Sequence, residues 1–145
     1  MVYSRWLLTP IGAVLMLSCW SGTANAFVLT STTFKDGGMM LQKVSNKPPP
    51  NPNCVGENIS PQLSWKNPPG GTKSYAITLV DPEGYGGMGV VHCVAYGIPL
   101  NVTSFAEGEV SKSSNKFVGG KSTEGVEYYS GPCTPPVPSE NYIRA

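Results

Sequence analysis

Two segments of the chain alternate in the manner of β-strands and dominate its pattern. Residues 74–80 divide into two sets of side chains on opposite faces, and both sets are mostly apolar. This segment therefore predicts a central strand that is covered on both sides. Residues 90–98 form the second clear strand and place His92 on a largely apolar face. Residues 27–34, rich in β-branched and aromatic side chains, predict a first strand, and residues 60–65 a short one.

In the remaining segments the apolar residues do not recur with the 3.6-residue period of long helices. The 145 residues include 17 glycines and 14 prolines, which indicates many turns. Residues 46–53 are so rich in proline that they predict an irregular loop, with a stiff connector favoured over a recognition segment. Residues 101–127 are polar and predict a loop with one short strand. The sequence thus predicts one mainly β domain with little helix, most simply a β-sandwich.

The first 26 residues have the features of a signal peptide. A lone Arg5 precedes an apolar stretch at 11–17 that is too short to span a bilayer. The triplet Ala-Asn-Ala at 24–26 matches the small-x-small cleavage pattern. We therefore predict a signal peptide over 1–26, a domain over 27–145, and a periplasmic or secreted location. An uncleaved anchor and lipidation at Cys19 are the alternatives.

The net charge and the cysteine content limit which kinds of ligand and crosslink we expect for this chain. The net charge is only +1 and no basic block is present, which argues against nucleic acid. No segment after the leader could span a membrane. Removal of the leader leaves Cys54, Cys93 and Cys133, which in an oxidising compartment allows one disulfide and one free thiol. One histidine with scattered cysteines is a poor zinc ligand set, so no metal or other cofactor is expected.

Asp81 and His92 are the residues with the most chemical interest, and each also has an ordinary explanation. His92 on an apolar strand face could be a buried imidazole that bonds a carbonyl or carboxylate. Asp81, at a strand end before Pro82, could accept backbone donors in a turn. The glycine-rich run at 84–89 lacks the lysine and the helix of a phosphate-binding loop. It is interpreted as a connector between two strands that could gate a neighbouring pocket.

Four segments, in order, carry a resemblance to a known family. They are CVGENISPQLSW at 54–65, Asp-Pro-Glu at 81–83, His92 and GPCTPP at 131–136. They resemble the motifs of the phosphatidylethanolamine-binding protein family, in its bacterial Raf-kinase-inhibitor-like branch, over roughly residues 27–142. The resemblance implies a β-sandwich of that type with a small pocket at one end.

The resemblance also implies a site. In this family the matching Asp and His line a pocket that binds phosphate or phosphorylated head groups. The expected ligand-binding residues are Asp81, Glu83, His92, Gly131, Pro132 and Tyr142. A protonated imidazole would bond a phosphate oxygen, a neighbouring carboxylate would fix the ring tautomer or meet a cationic amine, and amides around Gly131 would add donors.

The implied function is that of an exported protein that binds a small anionic or phosphorylated ligand, without catalysis. An inhibitor or interaction module for another protein is one alternative, and it rests on the family alone. A hydrolase that uses Asp81 and His92 as an acid/base pair is the other.

The resemblance further implies a Cys54–Cys133 disulfide, because the family fold brings those two motifs to one end. Cys93 would then remain a buried thiol.

Three departures from the family pattern affect these expectations. Glu83 stands where Asp is commonest, and Glu140 stands where the family has a histidine two residues before Tyr142. A carboxylate in place of that histidine should weaken attraction for anions. The chain also stops at Ala145 without the apolar closing strand of the family. We expect an exposed apolar edge there, and self-association through it.

Overall fold

The computed structural model describes residues 26–47, 51–52 and 54–133. Its framework is six strands: β1 Val28–Thr30, β2 Leu63–Lys66, β3 Tyr75–Asp81, β4 Val90–Ile98, β5 Ser104–Phe105 and β6 Val118–Gly119. One helical turn, α1 Gly84–Gly87, joins β3 to β4, and 3-10 turns span Gln42–Val44 and Glu109–Ser111. The described part of the chain is therefore mainly β with very little helix, as predicted.

The strands form two antiparallel sheets, in the orders β1-β2-β5 and β3-β4-β6. Aromatic rings from both sheets meet in the core. Trp65 of β2 lies edge-to-face against Tyr75 of β3 at 5.6 Å and against Phe105 of β5 at 5.4 Å. Ala95 and Ile98 of β4 are fully buried in the same cluster. This inner layer is the core of a β-sandwich.

The predicted coverage of β3 on both faces is wrong for the described residues. Tyr75, Ile77 and Leu79 are partly buried against the core. Ala76, Thr78 and Val80 alternate with them and are exposed. Among the described strands, β3 is an edge strand of its sheet. The sequence misleads here because Ala76, Thr78 and Val80 fit an exposed strand face as well as a buried one.

The shorter strands differ from their predicted bounds. The first strand covers three residues rather than eight, and the second begins at Leu63 rather than at residue 60. Residues 101–127 contain two strands of two residues each, where one was predicted. The glycine-rich connector makes a single turn in which Tyr85 has a positive φ of 49°, so it is not a regular helix.

Several predictions lie outside the described residues: most of the signal peptide, Tyr142, Glu140 and the chain's C-terminal edge. Within residues 26–47, 51–52 and 54–133, no helix is long and apolar enough to cross a bilayer.

Candidate functional site

His92 lies at an irregularity in the β3–β4 ladder. Leu79 pairs with Cys93 and Val80 pairs with Val91, so His92 is the extra residue of a β-bulge. Side chains of consecutive strand residues normally point to opposite faces, but a bulge re-aims one of them. Both His92 and Cys93 are consequently buried, at 4% and 3% exposure.

The His92 ring is held by the backbone of the 129–133 loop. Its Nδ1 lies 2.8 Å from the carbonyl oxygen of Ser130, and the Ser130 amide donates back to the His92 carbonyl at 2.9 Å. A carbonyl can only accept, so Nδ1 carries a hydrogen. The tautomer is thus fixed by a backbone carbonyl, one of the two partners expected for a buried imidazole, and not by the carboxylate that the resemblance suggested.

The other ring nitrogen has no such partner. Nε2 of His92 is buried and forms no hydrogen bond within the described part of the chain. In the neutral ring this atom is an acceptor, and in the protonated ring it is a second donor. A buried polar atom without a partner costs free energy, and among the described residues Nε1 of Trp65 and Oγ of Ser122 share this condition with Nε2 of His92.

Asp81 ends β3 and pairs with Val90 at the start of β4. It follows Ile77 and Leu79 on the core-facing set of its strand and is partly buried. Its Oδ1 accepts the amide of Glu83 at 3.0 Å, which is the turn role anticipated for it. Asp81 and His92 thus lie at the same end of the hairpin, but among the described residues no hydrogen bond joins them directly.

The turn that follows confines the Asp81 carboxylate. A Cβ added to Gly84 would lie 2.4 Å from the Val90 side chain and 3.2 Å from Oδ2 of Asp81. Glu83 itself is exposed. Two carboxylates therefore flank the glycine-rich turn at this end of the hairpin, one partly buried and one in solvent.

Gly131 and Pro132 are buried between two other loops. The Gly131 amide donates to Oδ1 of Asn58 at 2.8 Å, and the Pro132 carbonyl accepts the amide of Asn46 at 3.0 Å. A Cβ on Gly131 would meet the Val44 carbonyl oxygen at 2.1 Å. The Gly131 amide is thus engaged within the protein, and its expected donation to a ligand would require it to leave Asn58.

Asn58 organises this contact, a structural role that the sequence pattern did not indicate. Its backbone is left-handed, with φ of 57°, a conformation that Asn tolerates better than most residues. Its side chain bonds both the Gly131 amide and, at 3.2 Å, the Tyr129 carbonyl. The signal that could have found it is an asparagine inside the first family motif.

A chain of polar contacts continues from the loop to the surface. Asn46 donates to the Ser130 hydroxyl at 2.8 Å, and that hydroxyl donates to Glu124 at 2.5 Å. On the inner side, the buried Tyr129 hydroxyl donates to the Val44 carbonyl at 2.6 Å. Burial, with a smaller contribution from Cys93, raises the pKa of Tyr129, so this phenol stays neutral and keeps its donor.

A disulfide links two of the loops around this site. Cys54 and Cys133, 79 residues apart in sequence, are bonded with their Cα atoms 4.6 Å apart. This is the pairing that the family resemblance implied. Cys93 is a buried free thiol, and burial raises its pKa to about 11. In the described ranges no three His, Cys, Asp or Glu residues are grouped to hold a metal ion.

One concave feature of the described structure lies away from His92. A groove of about 470 Å³ runs beside β1 and β3, and the residues that line it include Phe27, Leu29, Trp65, Tyr75 and Ile77. It contains none of the predicted ligand-binding residues.

Comparison with known proteins gives one consistent relationship. A family model described as phosphatidylethanolamine-binding protein matches residues 30–144. YbcL of Escherichia coli K12, named a UPF0098 protein, is 32% identical over 129 residues, which are 86% of this chain and 69% of YbcL. LppC of Mycobacterium tuberculosis, named as a lipoprotein, is 27% identical over 121 residues, 83% of this chain and 54% of LppC.

Comparison with solved structures indicates the same family. The crystal structure of E. coli YbcL, described as a member of the mammalian PEBP family, matches with a TM-score of 0.68 and 30% identity, over 79% of this chain and 70% of that one. A phosphatidylethanolamine-binding protein homologue from Chlamydia trachomatis matches with a TM-score of 0.63 and 31% identity, over 77% and 68%. The chain spans about half the length of other curated relatives, such as 55% of a Methanothermobacter UPF0098 protein.

Proposed function

Because the chain belongs to the phosphatidylethanolamine-binding protein family, we propose that it binds a small anionic or phosphorylated ligand through His92. The observation that carries the proposal is the buried Nε2 of His92, which has no partner among the described residues. A ligand oxygen at this atom would satisfy it.

The fixed tautomer decides which ligands suit the site. With Nδ1 bonded to the Ser130 carbonyl, Nε2 of the neutral ring accepts and can meet a hydroxyl or an ammonium group. To donate to a phosphate oxygen the ring must take up a second proton, and the bond is then charge-assisted. Binding of a fully ionised phosphate is therefore coupled to protonation of His92.

The carboxylates beside the site add a second preference. Asp81 and Glu83 lie at the same end of the β3–β4 hairpin as His92. They disfavour a simple multiply charged anion and favour a ligand that carries a cationic group next to its phosphate. This argues for a zwitterionic phosphomonoester over inorganic phosphate.

We propose binding rather than catalysis because the thiol next to His92 in β4 is a poor nucleophile. Burial raises the pKa of Cys93 to about 11. A thiol with that pKa is protonated at neutral pH.

We further propose that the protein acts outside the cytoplasm, in the periplasm or secreted. The disulfide, a relative named as a lipoprotein and the features of the first 26 residues support this location.

The test is calorimetric titration of the protein with inorganic phosphate and with a zwitterionic phosphomonoester. His92→Ala should lower affinity for the phosphomonoester by about 10- to 100-fold, the worth of one hydrogen bond to a charged group. Lys73→Ala, at the opposite end of β3, is the control for unspecific charge attraction and should bind normally. Equal affinity of His92→Ala and wild type would remove the site assignment.

A pH series on the unaltered protein makes the test independent of how the variant folds. Affinity for the phosphomonoester should be lower at about pH 8.5 than at about pH 6.5, because a ring that holds its one hydrogen on Nδ1 cannot donate from Nε2 to the phosphate. Affinity that is constant across that range would contradict the proposed role of the imidazole, and turnover of the ligand would favour the hydrolase alternative.

A further inference from the structure

Asn58 and His92 bond to opposite sides of the same two peptide groups. The peptide group between residues 129 and 130 donates its N–H to the His92 carbonyl at 2.9 Å, and its C=O accepts from Nδ2 of Asn58 at 3.2 Å. The next peptide group accepts from Nδ1 of His92 at 2.8 Å, and its N–H donates to Oδ1 of Asn58 at 2.8 Å. A peptide group is planar, with its N–H and C=O on opposite sides. The Asn58 side chain therefore fixes the direction in which both groups face His92.

The chemistry of these bonds leaves one orientation for the Asn58 amide. The Gly131 N–H can only donate, so it faces Oδ1, and the Tyr129 carbonyl can only accept, so it faces Nδ2. An ionised aspartate has no donor and could not form the second of these bonds. Asn58 thus supplies one donor and one acceptor at two defined places.

The backbone of Asn58 is held by bonds that do not involve its side chain. Its amide donates to the Ser45 carbonyl at 2.8 Å, and its carbonyl accepts the Ser111 hydroxyl at 2.8 Å. Its φ of 57° is left-handed, a conformation that glycine adopts at no steric cost. A glycine at this position therefore removes the two side-chain bonds and can keep the backbone as it is.

We propose that Asn58 is a positioning residue that sets the tautomer of His92 through these two peptide groups. With the Ser130 carbonyl held toward the ring, the hydrogen of the neutral imidazole stays on Nδ1. Donation from the Gly131 amide to Asn58 also polarises the same peptide group and strengthens its carbonyl as an acceptor. Asn58 thereby makes donation from Nε2 to a phosphate require a second proton on the ring. This last consequence rests on the proposed function, whereas the tautomer does not.

The titratable side chains near His92 act on it by other routes. Burial raises the pKa of both Cys93 and Tyr129, so both are neutral near pH ~7. Asp81 accepts an amide of its own turn, and Glu124 accepts the hydroxyl of the serine at 130. Among the described hydrogen bonds, none of these four side chains reaches the two peptide groups. The effect of Asn58 on the tautomer can therefore be separated from theirs.

The test is heteronuclear NMR of the imidazole nitrogens in a tag-free protein, and it needs no ligand. His92 is the one histidine in the sequence, so its ring signals need no assignment. In the wild type the neutral ring should carry its hydrogen on Nδ1. Asn58→Gly should lower the ratio of the Nδ1–H to the Nε2–H tautomer roughly 2- to 10-fold, the effect of one net hydrogen bond.

Asn67 provides the matched control. It follows β2 with the same left-handed φ of 57°, and its side chain donates to the Ala26 carbonyl at 3.3 Å. Asn67→Gly should therefore keep the wild-type ratio of tautomers. The proposal would be overturned by an Asn58→Gly protein with the wild-type ratio, or by a neutral wild-type ring with its hydrogen on Nε2.

A second variant serves if Asn58→Gly does not fold. Asn58→Asp keeps the acceptor for the Gly131 amide but places an oxygen against the Tyr129 carbonyl in place of the donor. It should lower the tautomer ratio in the same direction, through the peptide group between residues 129 and 130 alone. A folded Asn58→Asp protein with the wild-type ratio would also contradict the proposal.

Calorimetry separates this inference from the proposed function. Wild type should bind the zwitterionic phosphomonoester more tightly at about pH 6.5 than at about pH 8.5. Asn58→Gly should reduce that ratio of affinities, because a neutral ring with its hydrogen on Nε2 can donate to the phosphate. A shifted tautomer without any binding of the phosphomonoester would support the positioning role and contradict the proposed function. A shifted tautomer with an unchanged ratio of affinities would refute the link between Asn58 and phosphate binding.

Discussion

At Gly131 the lack of a side chain sets how closely two loops approach. An added Cβ would lie 2.1 Å from the Val44 carbonyl oxygen and 2.8 Å from the Asn46 amide nitrogen, and both obstacles are backbone atoms. Gly131→Ala should therefore force the 129–133 loop outward and destabilise the protein by about 1–3 kcal/mol, as overpacking does.

Urea unfolding would measure this loss, with Gly70→Ala as the matched control. Gly70 has no atom within 4 Å of its added Cβ. If both variants unfolded at the same urea concentration, the close approach at Gly131 would not be a feature of the native state.

Cys93 should be inert toward alkylation in the folded protein. Cys93 is 3% exposed, and burial raises the pKa of its thiol to about 11. Since the thiolate is the reactive form, iodoacetamide at pH 8 should label Cys93 only after unfolding, which mass spectrometry of the native and denatured protein can compare. Rapid labelling of native protein would contradict its burial.

The raised pKa of Cys93 also makes the free energy of unfolding depend on pH. An unfolded thiol ionises near pH ~8.5 and the folded one at about 11, so the unfolded state loses its proton first. The stability that this thiol contributes is fully present below pH ~8.5 and falls as pH rises toward 11. Cys93→Ser removes the ionisable group and should flatten that alkaline decline.

At the residue scale the sequence indicated residues near one end of the β3–β4 hairpin but not how they bond. Asp81 pairs with Val90, two residues from His92, and Gly131 follows Ser130, whose backbone bonds His92. A carbonyl was one of the partners expected for His92, but that it belongs to Ser130 was not predictable, because a backbone carbonyl is present at every position. The left-handed Asn58 was also missed, since its need for φ of 57° arises only once the loops are packed.

At the scale of elements, long strands were predictable and short ones were not. The bounds of β4, Val90–Ile98, are those that the sequence predicted, because nine residues give enough alternation to define a period. β5 and β6 have two residues each and exist because β2 and β4 pair with them. Such strands are determined by tertiary contacts that no local pattern contains.

The Cys54–Cys133 bridge links the loop of the first motif to the 129–133 loop. Replacing both cysteines by serine should lower the free energy of unfolding by up to ~4 kcal/mol, the chain-entropy limit for a loop of this length. The native hydrogen bonds between Asn58 and the 129–133 loop would still assemble it. We therefore expect a folded variant with a lower melting temperature.

Reductant supplies the control for this prediction. Wild type with reductant should melt at the temperature of the double variant, and the variant itself should not respond to reductant. A wild type that melts at the same temperature with and without reductant would show that the bridge adds nothing to stability.

At the scale of the whole molecule, processing should leave a chain that begins at Phe27. The Phe27 ring stacks on Tyr75 and borders the groove, so cleavage before it preserves this contact. Intact-mass measurement of protein exported by a bacterial host should give the mass of residues 27–145 less two hydrogens for the disulfide. A lipid-modified chain that starts at Cys19 would contradict this.

Cys93 lies between the two bridged cysteines in the sequence, and this affects the order in which disulfides can form. A chain is made and moved from its N-terminus, so Cys93 meets Cys54 before Cys133 has emerged. Where oxidation precedes the emergence of Cys133, the disulfide that forms is the non-native Cys54–Cys93, and the native bridge then requires an exchange between thiol and disulfide. Burial of Cys93 in the finished core, with a pKa of about 11, makes that exchange one-way. The protein's yield in any compartment should therefore depend on an isomerase as well as on an oxidant.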